Sequence, residues 1–142
     1  MLFALPIMVV FSYMYGKGPG INWLIAVPLL IFIQFFVTAG ICLVISMVNA
    51  YFRDMEYIIG VVISLLFWMT PIIYPLEMVP KAYRLYLALN PLAYLITSWR
   101  DIFMGNSIDW SNIGISFGSS VIFLSLGILV FRRLGARLDE VI

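Results

Sequence analysis

Read only for where apolar and polar residues fall, the chain divides into four apolar runs separated by short polar breaks. The runs at 22–48, 57–74 and 111–131 come close to or exceed the roughly 17–25 residues a helix needs to cross a bilayer. A fourth run, 1–15, is shorter. "MLFALPIMVVFSYMY" has neither the basic start nor the small-residue cleavage site of a signal peptide, and it reads as the outer part of a span whose beginning lies elsewhere. The breaks are legible too. "GKGPG" at 16–20 is a turn by its Gly and Pro content, and "RDME" at 53–56 is a charged hairpin tip. Only the connection from Pro75 to about Trp110 is long, and it is too apolar for an ordinary solvent loop.

Within that connection the pattern changes period. Asn90-Pro91 is a helix start: an N-cap side chain, then a proline at the first helical position, where a missing N–H costs nothing. Leu92, Leu95, Ile96, Trp99, Ile102 and Phe103 then recur at helical spacing and form one apolar face. Upstream, "VPKAYRLYLAL" has its own proline start at Pro80. Two helices this short cannot cross individually, so 76–104 is expected to be a re-entrant pair whose broken backbone is sheltered by protein or faces water. On this reading the apolar face packs on the spans, and Tyr94, Thr97, Ser98 and Arg100 turn toward a water-filled outer vestibule. A true span would carry Arg100 and Asp101 near its centre at about 2.5–3.5 kcal/mol each.

Composition agrees with the pattern. With 64% hydrophobic and 11% charged residues and a mean hydropathy of +1.10, this is an integral membrane chain, all-α, with about four spans (the first partial) and the re-entrant pair before the last. A net charge of +1 leaves no basic stripe for nucleic acid. The only cysteine, Cys42, lies inside an apolar run, so no internal disulfide forms, and the absence of histidine removes the common metal sites and proton shuttle. The basic residues divide evenly between the two sides: Arg53, Arg132, Arg133 and Arg137 against Lys17, Lys81, Arg84 and Arg100. Three arginines directly after the last span favour a cytoplasmic C-terminus.

The order of motifs in "NAYFRDMEYIIGVVISLLFWMTPIIYPLEMVPKAYRLYLALNPLAYLITSWRDIFMG" resembles the second half of an ABC-2 type permease, of the kind exporting O-antigen, capsule or teichoic acid. An aromatic-Phe-Arg-Asp turn is followed by a span ending in Thr-Pro-Ile-Ile-Tyr-Pro. A Val-Pro start comes next, then Asn-Pro-Leu before an amphipathic helix with a terminal Gly. The resemblance covers about 45–137. It implies a multi-pass protein of the bacterial plasma membrane, working as a homodimer on a separate ATP-binding cassette subunit and moving a lipid-linked glycan outward. It also implies that two earlier spans and their cytoplasmic loop are absent here. No G-x-x-x-x-G-K-[ST] occurs, so no cofactor is expected on this chain, ATP sitting on the partner, and no enzymatic activity of its own.

Candidate sites carry a plainer reading beside the functional one. Arg53, Asp54 and Glu56 would touch the ATPase, or merely cap the span ends. Gln34, Thr38, Cys42 and Ser46 form a polar ribbon that holds helices together or lines a path. Gly114 and Gly118 have the G-x-x-x-G spacing of close helix packing. Trp68, Tyr74, Tyr83, Tyr86, Tyr94 and Trp99 form an interfacial aromatic belt, or line a channel where sugar C–H faces stack on rings. Pro71 and Pro75, flanking Tyr74, would break the helix there and mark a gate. Two other classes stay open: an ABC-2 exporter of drugs, small lipids or sodium, and a membrane-embedded transferase using Glu77, Asp101 or Asp109.

Overall fold

The computed structural model describes residues 4–14, 16, 20–52, 54–70, 72, 78–80, 90–105 and 107–138. All elements among them are helical: α1 (Ala4–Met14), α2 (Ile21–Tyr51), α3 (Met55–Met69), α4 (Pro91–Arg100), which runs on into a π-helical turn (Asp101–Gly105), and α5 (Trp110–Leu138). Among the described residues two stretches, Ile21–Tyr51 and Trp110–Gly135, are long and apolar enough to cross a membrane. At a rise of about 1.5 Å per residue the 31 residues of α2 reach about 46 Å, beyond a hydrocarbon core of about 30 Å. The 11 residues of α1 and the 15 of α3 stay below it.

The run expected to span 57–74 therefore forms a shorter helix, and its end has a local cause. Thr70 precedes Pro71, and the proline ring disfavours helical backbone in the residue before it. Thr70 is accordingly extended, at φ −99° and ψ 132°. The downstream start also has a local origin: the Asn90 side chain accepts from the Leu92 N–H at 3.0 Å, with Pro91 as the first helical residue.

The core is built on α2 and α5. On α2, Trp23, Ala26, Leu30, Ile33, Val37, Gly40 and Met47 are buried, a seam of alternating three- and four-residue steps as far as Gly40, with Met47 two turns further on. On α5, Ile113, Ser116, Ser120 and Gly127 face it. The helices meet backbone to backbone: a Cβ added to Gly127 would lie 2.5 Å from the Gly40 carbonyl oxygen, and one on Gly40 would collide with the Phe123 carbonyl. Ile113, early in α5, shares a cluster with Trp23, Ala26 and Leu30 early in α2. Late in both, Tyr51 donates to the Leu134 carbonyl at 2.7 Å. The two long helices thus run parallel.

At the end where both begin, α4 and its π-turn fill the remaining space with Leu95, Trp99, Ile102 and Phe103. None of the residues of α3 is buried. Past Glu56 in its first turn its surface is almost wholly apolar, that of a helix that faces lipid or further protein.

Candidate functional site

The short helix α4 carries most of the residues flagged for a vestibule or channel, Tyr94, Thr97, Ser98, Trp99 and Arg100, and three sets of contacts fix it. Its start is tied to the end of α3. Asn90 Nδ2 donates to Thr70 Oγ1 at 3.0 Å and reaches the Met69 carbonyl at 3.5 Å, while Thr70 Oγ1 donates to the Leu66 carbonyl at 2.7 Å. Both side chains are buried, and together they use each other's hydrogen-bonding capacity, as polar groups out of water must.

Two indoles clamp the far half of α4 to α2, one from each helix. Trp99 Nε1 donates to Gln34 Oε1 at 3.0 Å, and Trp23 Nε1 donates to the Ile102 carbonyl at 3.1 Å. Their rings sandwich Phe103, edge-on to Trp23 at 4.6 Å and stacked on Trp99 at 5.7 Å. Buried indoles need a partner for their N–H, and here both partners lie across a helix boundary, so burial and orientation are fixed together.

The exposed side of α4 is narrower than its sequence suggests. Tyr94, Thr97 and Arg100 are half-buried, but Ser98 is buried, with its hydroxyl folded back onto the Tyr94 carbonyl at 2.9 Å. The packed arc is turned toward Ser98 and away from the half-buried Leu92 and Ile96. A serine satisfied by its own helix can enter an apolar interface at little cost, which is why hydrophobicity alone placed Ser98 on the wet side. Thr97 makes the same back-bond, to Ala93 at 2.8 Å. Trp99, a channel candidate that the helical period also put on the packed face, is buried in the α2–α4 contact.

The other flagged residues scatter. Trp68 is 66% exposed on the bare face of α3, and Asp54 and Glu56 are exposed at that helix's start. Of the ribbon, Gln34 bonds α4, whereas Thr38, Cys42 and Ser46 are exposed. Gly114 and Gly118 look onto open space, with nothing within 4 Å of an added Cβ. Arg53, Pro71, Tyr74, Pro75, Glu77, Tyr83 and Tyr86 lie outside the described residues. Among the described residues no group of three His, Cys, Asp or Glu could hold a metal ion.

The arrangement is a wall: a short helix held at both ends, presenting one tyrosine, one hydroxyl and one guanidinium. Sequence reasoning found the Asn90 cap but not its second bond, nor the Trp23–Ile102 clamp or the Gly40–Gly127 contact. Each pairs residues far apart in the chain.

Comparison with known proteins gives one family and a small set of relatives. The sequence model of the ABC-2 type transporter family matches residues 1–104. An O-antigen export system permease protein, RfbA, of Klebsiella pneumoniae is 34% identical over 141 residues, 99% of this chain and 54% of the relative. An RfbA of Myxococcus xanthus is 35% identical over 103 residues, 70% of this chain and 39% of its own. The polysialic acid transport protein KpsM of Escherichia coli is 29% identical over 101 residues, 71% of this chain and 36% of its own. The chain spans about half the length of the Klebsiella relative. No solved structure matches it.

Proposed function

The chain belongs to the ABC-2 type transporter family, and from that premise we propose that it is a permease subunit of an exporter moving a lipid-linked cell-envelope polysaccharide outward across the bacterial plasma membrane. The observation that carries this is similarity along nearly the whole chain to a protein named for O-antigen export. The motif order around Thr70-Pro71 and Asn90-Pro91 and the polar, aromatic exposed side of α4 support it. A separate ATP-binding cassette subunit supplies the energy, and two permeases assemble as a homodimer. Four segments cross or enter the membrane, with a re-entrant pair over 76–104 on the outer side and the C-terminus in the cytoplasm. Arg53, Asp54 and Glu56 at the α2–α3 hairpin meet the ATPase, and Tyr94, Thr97 and Arg100 border the glycan path.

Gene deletion in the native host tests the reading. The expected outcome is loss of the surface glycan, with its lipid-linked form accumulating inside, reversed by the gene supplied in trans. A deletion strain with its surface glycan intact and a changed tolerance of drugs or small lipids would overturn the glycan assignment in favour of another cargo.

A further inference from the structure

The bond between Thr70 and Asn90 joins a helix that buries nothing to one that is clamped. α3 contributes no buried residue, whereas α4 is held on α2 by both indole bonds and by the rings around Phe103. α2 in turn is in backbone contact with α5. Displacing α3 therefore disturbs little of the apolar core, and the polar bond at its end is where such a displacement reaches the rest of the molecule. Asn90 is built for that transfer, because a single amide does two jobs. Its Oδ1 holds the first free N–H of α4, from Leu92, while its Nδ2 holds Thr70. A displacement of the α3 end that turned the amide plane would take the cap off Leu92. Thr70 is equally committed, since its hydroxyl accepts from Asn90 while donating to Leu66.

We propose that Asn90 and Thr70 are positioning residues for export, a hydrogen-bonded joint through which movement of α3 is passed to the first turn of α4. The proposal rests on the export reading above. An apolar contact at this place would let the two ends slide, while a capped and bonded amide has two discrete arrangements, made and unmade.

The test uses the whole permease assembled with its ATP-binding subunit in proteoliposomes. Asn90→Ser retains an N-cap acceptor but lacks the amide that reaches Thr70, Thr70→Val removes the acceptor at constant shape, and Thr70→Ser restores it. Asn90→Ser and Thr70→Val are each expected to lower the glycan moved per ATP hydrolysed by about tenfold, the scale of one buried donor or acceptor left unpaired. The double variant should lose about the same tenfold rather than the product, because the two act through one bond, and Thr70→Ser should stay near wild type. Multiplicative losses, or losses in export that only follow the amount of folded protein at an unchanged ratio, would overturn the joint. A second arm needs no cargo: a cysteine at Thr97, in a Cys42→Ala background, is labelled by a membrane-impermeant thiol reagent with and without ATP. Labelling should respond to nucleotide, and either substitution should abolish that response. A response that survives both, or a position 97 indifferent to nucleotide, overturns the proposal. A wild-type complex that moves no glycan would strike the export reading alone, leaving the labelling arm to decide the joint.

Discussion

At the scale of single residues, glycine separates what packs from what only has the spacing of packing. Gly114 and Gly118 carry the familiar four-residue interval, yet both face open space. Gly40 and Gly127 make the backbone contact, although neither has a small residue four positions away on both sides: Gly40 lies between Phe36 and Val44, and Gly127 between Phe123 and Phe131. The interval is a local signal, and the contact is set by where two helices cross, information that no window along one helix contains. Gly40→Ala should therefore destabilise the detergent-solubilised chain by about 1–3 kcal/mol, since its Cβ meets backbone that cannot rotate away. Gly118→Ala should stay within about 0.5 kcal/mol of wild type. Thermal unfolding followed by circular dichroism makes the comparison, and equal losses at both positions would mean that α5 packs through its other face.

At the scale of elements, what was legible depended on how local the cause is. The cap at Asn90 and the stop at Thr70 are both decided within three residues, by an amide oxygen and by a proline ring; the cap stands where the sequence put it, whereas α3 stops at Met69, more than a turn short of the end expected at 74. The long helices α2 and α5 follow from sustained apolarity alone. The rotation of α4 did not follow from its pattern, because Ser98 satisfies its hydroxyl on the Tyr94 carbonyl and so behaves as a small packing residue. This changes the outcome expected of a cysteine scan of 92–103 with a membrane-impermeant reagent in a Cys42→Ala background. Labelling is expected at 94, 97 and 100, a spacing near the helical repeat, with 95, 98, 99 and 102 protected in line with their burial. Reactivity at 98 equal to that at 97 would mean the helix is rolled from the orientation seen here, and uniform labelling would mean that it is an exposed loop.

At the scale of the whole molecule, the parallel pairing of α2 and α5 constrains topology more firmly than charge does. Basic residues divide evenly between the sides and leave the orientation to the cluster after α5, whereas the contacts of Ile113 with the early α2 core and of Tyr51 with Leu134 place like ends together. If α2 and α5 both cross in the same direction, the chain between them must return to the side from which it started. A 15-residue α3, too short to cross 30 Å as a straight helix at about 1.5 Å per residue, covers most of that return. The joint of Thr70 to Asn90 then lies inside the protein, with α4 leading from it toward the beginning of α5. Cysteines at Gly20 and Asp109 should accordingly be labelled from one and the same side of the membrane, and a cysteine at Asp54 only from the other. With the arginines after α5 inside, the shared side is the outer one. Gly20 and Asp109 reacting from opposite sides would refute the parallel pairing itself. Both reacting only from the cytoplasm would keep the pairing and invert the molecule, and the arginines at 132, 133 and 137 would then lie outside.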